Sequence, residues 1–523
     1  MPVQMEAPQG LWIVHVLGKS PRAKGPSDET AVIVTNTADD RDWSAWYNRV
    51  YFFELGGAMG NEILRHLHKH MSPTRLIAAS FLAVIILGGL LLSLPISHQA
   101  GVSVPVLDAF FTATSAVCII GLVTLVTATT WSLFGKIIIL LLVQIGGLSL
   151  ITIFTFFIVH AGRKVTLKDR LTVQAAFNVN DLNGMVRLVL LVMRGTFLCE
   201  GIGAVLLGLS FWSKGMVWHG ALANGVFHAV SAFCNAGFDL VGGQSLTPYA
   251  DDLLINAVIM GLVVIGGIGF LVWRDLGLKI KYKIQPEIKK KYRLSLHTKL
   301  ALITTGVLIA LGTVYFFLAE YYNPRTLGGL SDAQKLLRAL FQSVTLRTAG
   351  FFTVVQSGLT ETSRVVSSLF MMIGGSPGGT AGGIKTVTVA IVFLSVWNTV
   401  RGEKGICAYK RALPLFTLQR ALTVIVIMLL LWLGGSMILA LTERGSPFLH
   451  TPADLLFEVA SGLGTVGITT GITPFLTVPG KLLMMLYMFI GRIGPITIIL
   501  LLQQRAGAVN ECVQYPSEDV MIG

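Results

Sequence analysis

Four five-residue units, each ending in glycine, carry the spacing of a built site in this chain of 523 residues. They are Val117, Cys118, Ile119, Ile120 and Gly121; Phe233, Cys234, Asn235, Ala236 and Gly237; Leu346, Arg347, Thr348, Ala349 and Gly350; and Leu463, Gly464, Thr465, Val466 and Gly467. Their glycines are separated by 116, 113 and 117 residues, and a Ser or Thr stands four to seven positions before each. The units share no acid, base or nucleophile, so the chemistry they have in common is that of the backbone. Glycine has no Cβ, accepts positive φ and lets neighbouring carbonyls turn to one side. Four such segments around one axis would offer rings of carbonyl oxygens, which replace the hydration shell of a cation. One turn alone would read as ordinary packing. Four at near-equal spacing read as a fourfold internal repeat.

These units need elements to hold them. Each follows a moderately apolar stretch too short to cross a bilayer, within 107–125, 226–242, 336–354 and 455–471. The longer apolar segments around them, at 75–96, 134–160, 187–212, 253–273, 300–319, 365–400, 419–442 and 480–502, each suit a membrane helix of about 20 residues. The expected fold is therefore all-α and integral to a membrane, with eight transmembrane helices and four re-entrant short helices around one pore. The short helices would aim the negative ends of their dipoles at a cation. Repeat boundaries fall at 73–163, 164–283, 284–402 and 403–523. Composition agrees: 53% of residues are hydrophobic and 13% charged, against about 25% charged in soluble domains. A mean hydropathy of +0.71 excludes a soluble enzyme, a disordered chain and a nucleic-acid binder, despite a net charge of +13. The Lys and Arg residues concentrate in 161–186, 274–299 and 401–420, while 97–133 has none. By the positive-inside rule both termini and the basic connections face the cytoplasm. Those connections read as topology signals and lipid contacts, or as a docking surface for a cytoplasmic partner.

The sixth apolar segment contains Gly374, Gly375, Ser376, Pro377, Gly378, Gly379, Thr380, Ala381, Gly382 and Gly383, followed by Lys385. Proline removes a helix hydrogen bond, and each glycine costs about 1 kcal/mol relative to Ala in a helix. This helix has to break at depth. A phosphate loop is excluded, since no strand precedes it and no GxxxxGK pattern is present. Arg492 lies inside the last segment, where an unpartnered charge costs at least about 2.5 kcal/mol, so it needs a partner or water. Glu200 and Arg194 are six apart and off one helical face, which suits a structural role more than a direct place in the permeation path. Arg347 should turn away from the axis and brace its turn, and His228 should pack and bond locally. Asp239 either draws cations to the mouth or caps a helix. Five scattered cysteines (Cys118, Cys199, Cys234, Cys407, Cys512) form no CxxC pair, so neither a disulfide framework nor a metal site is signalled.

The strings SAVCIIGL, SAFCNAGF, SVTLRTAGF and SGLGTVGIT resemble the four filters of the K⁺ transporter superfamily that includes the Trk, Ktr and HKT proteins. The resemblance covers roughly residues 73–523 and is closest to the Ktr-type membrane subunit. It implies four M1–P–M2 units in one polypeptide, with the twenty turn residues as a K⁺ selectivity filter. It also implies a gating loop at 374–383 with Lys385, and a cationic barrier at Arg492. Ile120 stands where Thr is common and Leu346 where a small residue is common. Because the ligands are mainly backbone carbonyls, these changes should tune affinity and leave function intact. Gly121, where a Ser would imply Na⁺ preference, implies K⁺.

By the same resemblance the protein is a homodimer in a bacterial inner membrane, with the ending EDVMIG at the dimer contact. Its partner would be a cytoplasmic nucleotide-binding ring of the KtrA type, with Na⁺ as activator or coupled ion. The chain has no nucleotide motif and binds no cofactor of its own. Residues 1–72 are expected to be a cytoplasmic or partly disordered extension, with Met59 or Met71 as alternative starts. A Trk-like or Na⁺-preferring transporter is the alternative. An intramembrane enzyme is a distant one, since the spans supply only isolated Glu200, Arg194, Lys385 and Arg492.

Overall fold

Apolar stretches free of proline become helices, and the short amphipathic stretches between them become shorter helices that stop at the glycine units. The computed structural model describes residues 73–160, 171, 173, 184–284, 292–403, 405–445 and 451–494, together with three short strands nearer the amino terminus. Those strands, β1 (Met5–Glu6), β2 (Trp12–Val14) and β3 (Val32–Val34), form an antiparallel sheet within a separate unit, Met1–Met71. Every helix described below belongs to the second unit, Ser72–Gly523.

The helices come in a repeating order of long, short and intermediate. The first set is α1 (Pro73–Leu92), α2 (Val106–Val117) and α3 (Leu133–Leu148), with α4 (Leu150–His160) continuing after a break. The second is α5 (Met185–Ser213), α6 (Trp218–Phe233) and α7 (Leu253–Gly267), continued by α8 (Phe270–Ile284). The third is α9 (Leu296–Ala319), α10 (Asp332–Thr345), α11 (Glu361–Met372) and, after the glycine loop, α12 (Thr386–Val400). The fourth is α13 (Leu415–Thr442), α14 (Pro452–Leu463) and α15 (Val478–Ile493). Between α12 and α13 lies a hairpin, β4 (Ile406–Ala408) with β5 (Arg411–Leu413). Its two turn residues, Tyr409 and Lys410, both have positive φ, as a tight two-residue hairpin turn requires.

The described fold is built of helices, as expected, apart from strands of two or three residues that leave no signature in a hydropathy pattern. Four helices, α1, α5, α9 and α13, are long and apolar enough to cross a membrane, or six with the bent pairs α3–α4 and α7–α8 counted as one span each. Several of the eight expected segments are interrupted within the described residues. Positive φ at Ser149 and Gly269 interrupts the second and fourth segments, and α7 and α8 meet at 99°. The sixth is split into α11 and α12 by residues 373–385. The eighth is described as α15 to residue 494, with Gly494 at φ +86°. Most of the basic connection 161–183 and the ending EDVMIG lie outside the described residues.

Packing closes the sets on one another. Each short helix packs against the long helix before it: α2 on α1, α6 on α5, α10 on α9 and α14 on α13. The helix after each glycine unit then packs against the next short helix: α3 on α6, α7 on α10, α11 on α14, and α15 back on α2. Ion pairs reinforce three of these contacts. Arg338 meets Asp251 at 2.9 Å, Arg364 meets Asp454 at 2.6 Å and Lys481 meets Asp108 at 2.7 Å.

Within each set, the end of the long helix is tied to the residue capping the third. Ser132 donates to the Ile96 carbonyl at 2.7 Å, and Lys214 pairs with Asp252 at 2.7 Å. Thr360 donates to Glu320 at 2.8 Å and Thr477 to Glu443 at 2.7 Å. Glu320 also accepts from Asn323 and Thr326. Burial pushes its pKa up, but the surrounding hydroxyl and amide donors outweigh this and hold it below the ordinary value. Its stabilisation is then complete above the usual glutamate pKa of about 4.3 and is lost as pH falls below that. Glu320→Ala leaves several buried donors unpaired and should lower stability by about 2 kcal/mol at neutral pH. Thermal unfolding of the purified protein measures this, and an unchanged midpoint would contradict the tie.

Candidate functional site

Each of the four short helices ends where its glycine unit begins, and the four turns share one backbone geometry. Ile119, Asn235, Thr348 and Thr465, each two residues before the glycine, have φ of 51°, 59°, 67° and 57°. The glycines themselves have φ of 92°, 70°, 82° and 91°. Two left-handed residues so close together are costly in isolation; here they recur four times. The hydroxyls upstream have a role as braces. Ser115 and Ser461 accept from the Gly121 and Gly467 N–H groups at 3.0 Å each, Ser231 donates to the Phe238 carbonyl at 2.7 Å, and Thr345 donates to the Phe351 carbonyl.

The four turns meet. A Cβ built on Gly237 would lie 2.5 Å from the Gly350 Cα and 2.9 Å from the Ala349 carbonyl oxygen. One built on Gly350 would lie 3.0 Å from the Val466 oxygen and 3.1 Å from the Ile120 oxygen. Gly121 faces the Ala236 oxygen in the same way, and Gly467 faces that of Ile120. All twenty residues of the four units are buried. Carbonyl oxygens from four stretches of chain thus lie around one point, and the hydroxyls of Thr348 and Thr465 are buried beside them with no hydrogen-bond partner among the described residues. Oxygen dipoles without a positive side chain between them can replace the hydration of a monovalent cation.

The glycine loop of the sixth segment lies against these turns. The Thr380 hydroxyl donates to the Phe233 carbonyl at 3.2 Å and to Asn235 Oδ1 at 2.9 Å, and Gly382 packs on the Thr465 side chain. Backbone partners hold the loop: Ser376 N donates to Gly267 O at 2.9 Å, Thr380 N to Gly266 O at 3.2 Å, and Phe270 N to Gly378 O at 2.9 Å. Its two ends form a short parallel bridge, Ile373 with Ile384. Lys385 donates to the Ala381 carbonyl at 2.7 Å. Arg492 does find partners at depth, and they are carbonyls: Thr380 at 2.6 Å, with Gly146 and, at 3.4 Å, Gly147. Arg347 donates to the Gly374 carbonyl at 3.0 Å, so it braces the loop rather than its own turn.

Residues 62–507 match the TrkH family of cation transport proteins. The chain belongs to that family. It is 36% identical over 464 residues to the potassium/sodium uptake protein NtpJ of Enterococcus hirae, covering 88% of this chain and 99% of the relative. It is 37% identical over 452 residues to the Ktr system potassium uptake protein B of Bacillus subtilis, covering 86% and 97%. The crystal structure of the potassium transporter TrkH from Vibrio parahaemolyticus superposes with a TM-score of 0.59 at 19% identity, covering 84% of this chain and 86% of that one. The fold is shared, and the family is one of transporters rather than enzymes.

Other charged residues of this TrkH-family chain take quieter places. His228 is buried, with Nδ1 2.8 Å from the Asn224 carbonyl and its ring against Phe211. Asp239 caps no helix; its carboxylate accepts from the Val241 and Gly242 N–H groups at 3.1 Å each. Glu200 meets Gln144 and Cys234, not Arg194. Sequence reasoning missed Gln144 and the pairing of Thr380 with Asn235, because these contacts join residues far apart in the chain. Arg492→Ala removes the charge-assisted bond that Arg492 makes to the Thr380 carbonyl of the loop, worth about 1.5–3 kcal/mol. Amide exchange in 374–385 should quicken by about tenfold or more; exchange at the parent rate would show that Arg492 does not hold the loop.

Proposed function

We propose that this protein is the ion-translocating subunit of a K⁺ uptake system of the Ktr type. The twenty turn residues would form the selectivity filter of one central pore, built from four M1–P–M2 units with eight crossings. The observation that carries the reading is the meeting of four left-handed, glycine-ended turns at one point. Loop 374–383, with Lys385 and Arg492, would be the gate: it lies against the turns and is held by hydrogen bonds that can exchange. The relatives' names, as potassium or potassium/sodium uptake proteins and as components of Ktr systems, support the substrate and the assembly. The assembly would be a homodimer in a bacterial inner membrane, both termini cytoplasmic, controlled by a nucleotide-binding ring of the KtrA type. Repeats at 73–163, 164–283, 284–402 and 403–523 would follow an extension at 1–72.

A second reading, a pore that also passes or prefers Na⁺, is favoured by the name of the Enterococcus relative alone. The absence of a side chain at Gly121 favours K⁺ by resemblance to the superfamily. Gly350→Ser would push a Cβ against the Gly237 backbone, which cannot yield cheaply. In cells lacking their own K⁺ uptake, rubidium uptake by this variant should fall about tenfold or lose its preference over sodium, a change worth about 1.4 kcal/mol. Unchanged uptake and preference would remove Gly350 from the ion path. Sodium uptake without rescue of growth at low K⁺ would favour the second reading.

A further inference from the structure

Three side chains from three elements meet behind the second turn. The Gln144 amide of α3 donates to Glu200 Oε2 of α5 at 3.3 Å. The Cys234 thiol lies 3.8 Å from Glu200 Oε1 and 3.9 Å from Gln144 Oε1, within hydrogen-bonding reach of sulfur to either. Glu200 is 6% exposed and Cys234 fully buried. Among the described residues no Lys, Arg or His forms an ion pair with Glu200. A carboxyl at this depth with only an amide and a thiol for company is costly. A leucine would fill the same space without that cost.

What the carboxyl holds explains its place. Cys234 precedes Asn235, the left-handed residue whose Oδ1 accepts from Thr380 of the loop and whose amide reaches the Arg347 carbonyl at 3.5 Å. On its other side the thiol fits tightly: a Cβ on Gly147 of α3 would lie 2.5 Å from the Cys234 sulfur. The carbonyls of Gly146 and Gly147 in that same helix accept from Arg492, which also holds Thr380. The contacts form a closed circuit: Glu200, Cys234, Asn235, Thr380, Arg492, the carbonyls of α3, then Gln144 and back to Glu200. Two corners stand outside the turns, the loop and α3: Arg492 on α15 and Glu200 on α5. Glu200 is the corner that ties the circuit to α5, the long helix of the second set.

We infer that Glu200 is a positioning residue of the ion path, clamping the second turn between α3 and α5 and thereby setting the cation discrimination of the turns. The inference rests on the reading of those turns as a filter. Glu200 touches no ion; it acts through Cys234. The group that matters is the oxygen acceptor, which glutamine retains and alanine does not.

The test measures rubidium uptake and its competition by sodium at matched amounts of folded protein. Glu200→Ala should raise the half-saturating rubidium concentration about tenfold and let sodium compete, as loss of a hydrogen bond to a charged group would. Glu200→Gln should remain within about threefold of the parent in both, as a retained acceptor would allow. Parent-like half-saturation and sodium competition in Glu200→Ala would overturn the inference, as would a Glu200→Gln as damaged as the alanine variant. If Glu200→Ala does not fold, Gln144→Leu, which removes the amide from the same cluster, should shift both quantities in the same direction, and parent values there would equally overturn it. Gly350→Ser run alongside separates the two layers. If that variant is also parent-like, the filter reading itself fails; if it is impaired and Glu200→Ala is not, only the role of Glu200 falls.

Discussion

Backbone N–H and C=O groups outside a helix are tolerated at membrane depth only where protein buries them or water reaches them. The rest of this structure depends on how five such stretches, four turns and one loop, meet that condition. In the turns the donors are consumed locally. Ile120, Ala236 and Val466 return their N–H groups to Ser115, Ser231 and Ser461 carbonyls at 2.7–2.9 Å, and Ala349 returns its own to Thr345 at 2.9 Å. Among the described residues the Ile120, Ala236, Ala349 and Val466 carbonyls have no such local partner, and they are the ones that crowd the neighbouring glycines. Helices whose negative ends point to this place make it more favourable still for a cation. The glycine loop meets the same condition differently. Its amides and carbonyls are shared with Gly266, Gly267 and Phe270 of the neighbouring helices, and its remaining carbonyls take Lys385, Arg347 and Arg492.

Holding four separate turns at one point requires a frame that does not spread. Contacts between successive sets close on themselves, with α15 returning to α2, so no edge is left where one turn can drift. Ties at the ends of the long helices and ion pairs between sets add polar contacts around the frame. An isolated exposed ion pair contributes little, but Arg364 with Asp454 and Lys481 with Asp108 are largely buried. Arg492, Arg347 and Thr380 then couple the turns to the loop, so a displacement of one carries the other.

Much of this was legible in the residues and some was not. Glycine spacing announced four equivalent turns, since a backbone that needs positive φ leaves glycine at the same place in each copy. The broken sixth helix was equally plain, because proline and clustered glycine have no other reason to interrupt an apolar run. The breaks at Ser149 and Gly269 were hidden: a single residue at positive φ barely alters a hydropathy pattern. The hairpin at Ile406–Leu413 was hidden too, its strands being too short to show alternation. Partners of buried charges could not be read at all. Arg492 was expected to need one, yet carbonyls from residues more than a hundred positions away are invisible in sequence. For Glu200 the six-residue offset from Arg194 correctly separated the two, but nothing local pointed to Cys234.

On the proposed reading, four carbonyl-bearing turns would coordinate a monovalent cation on one axis. The most direct measurement is anomalous scattering from crystals of the protein equilibrated with rubidium, a K⁺ substitute that scatters strongly. The expected result is an anomalous peak among the carbonyl oxygens of Ile120, Ala236, Ala349 and Val466, weakened when sodium replaces rubidium. Well-diffracting crystals with no peak among these four carbonyls would contradict it.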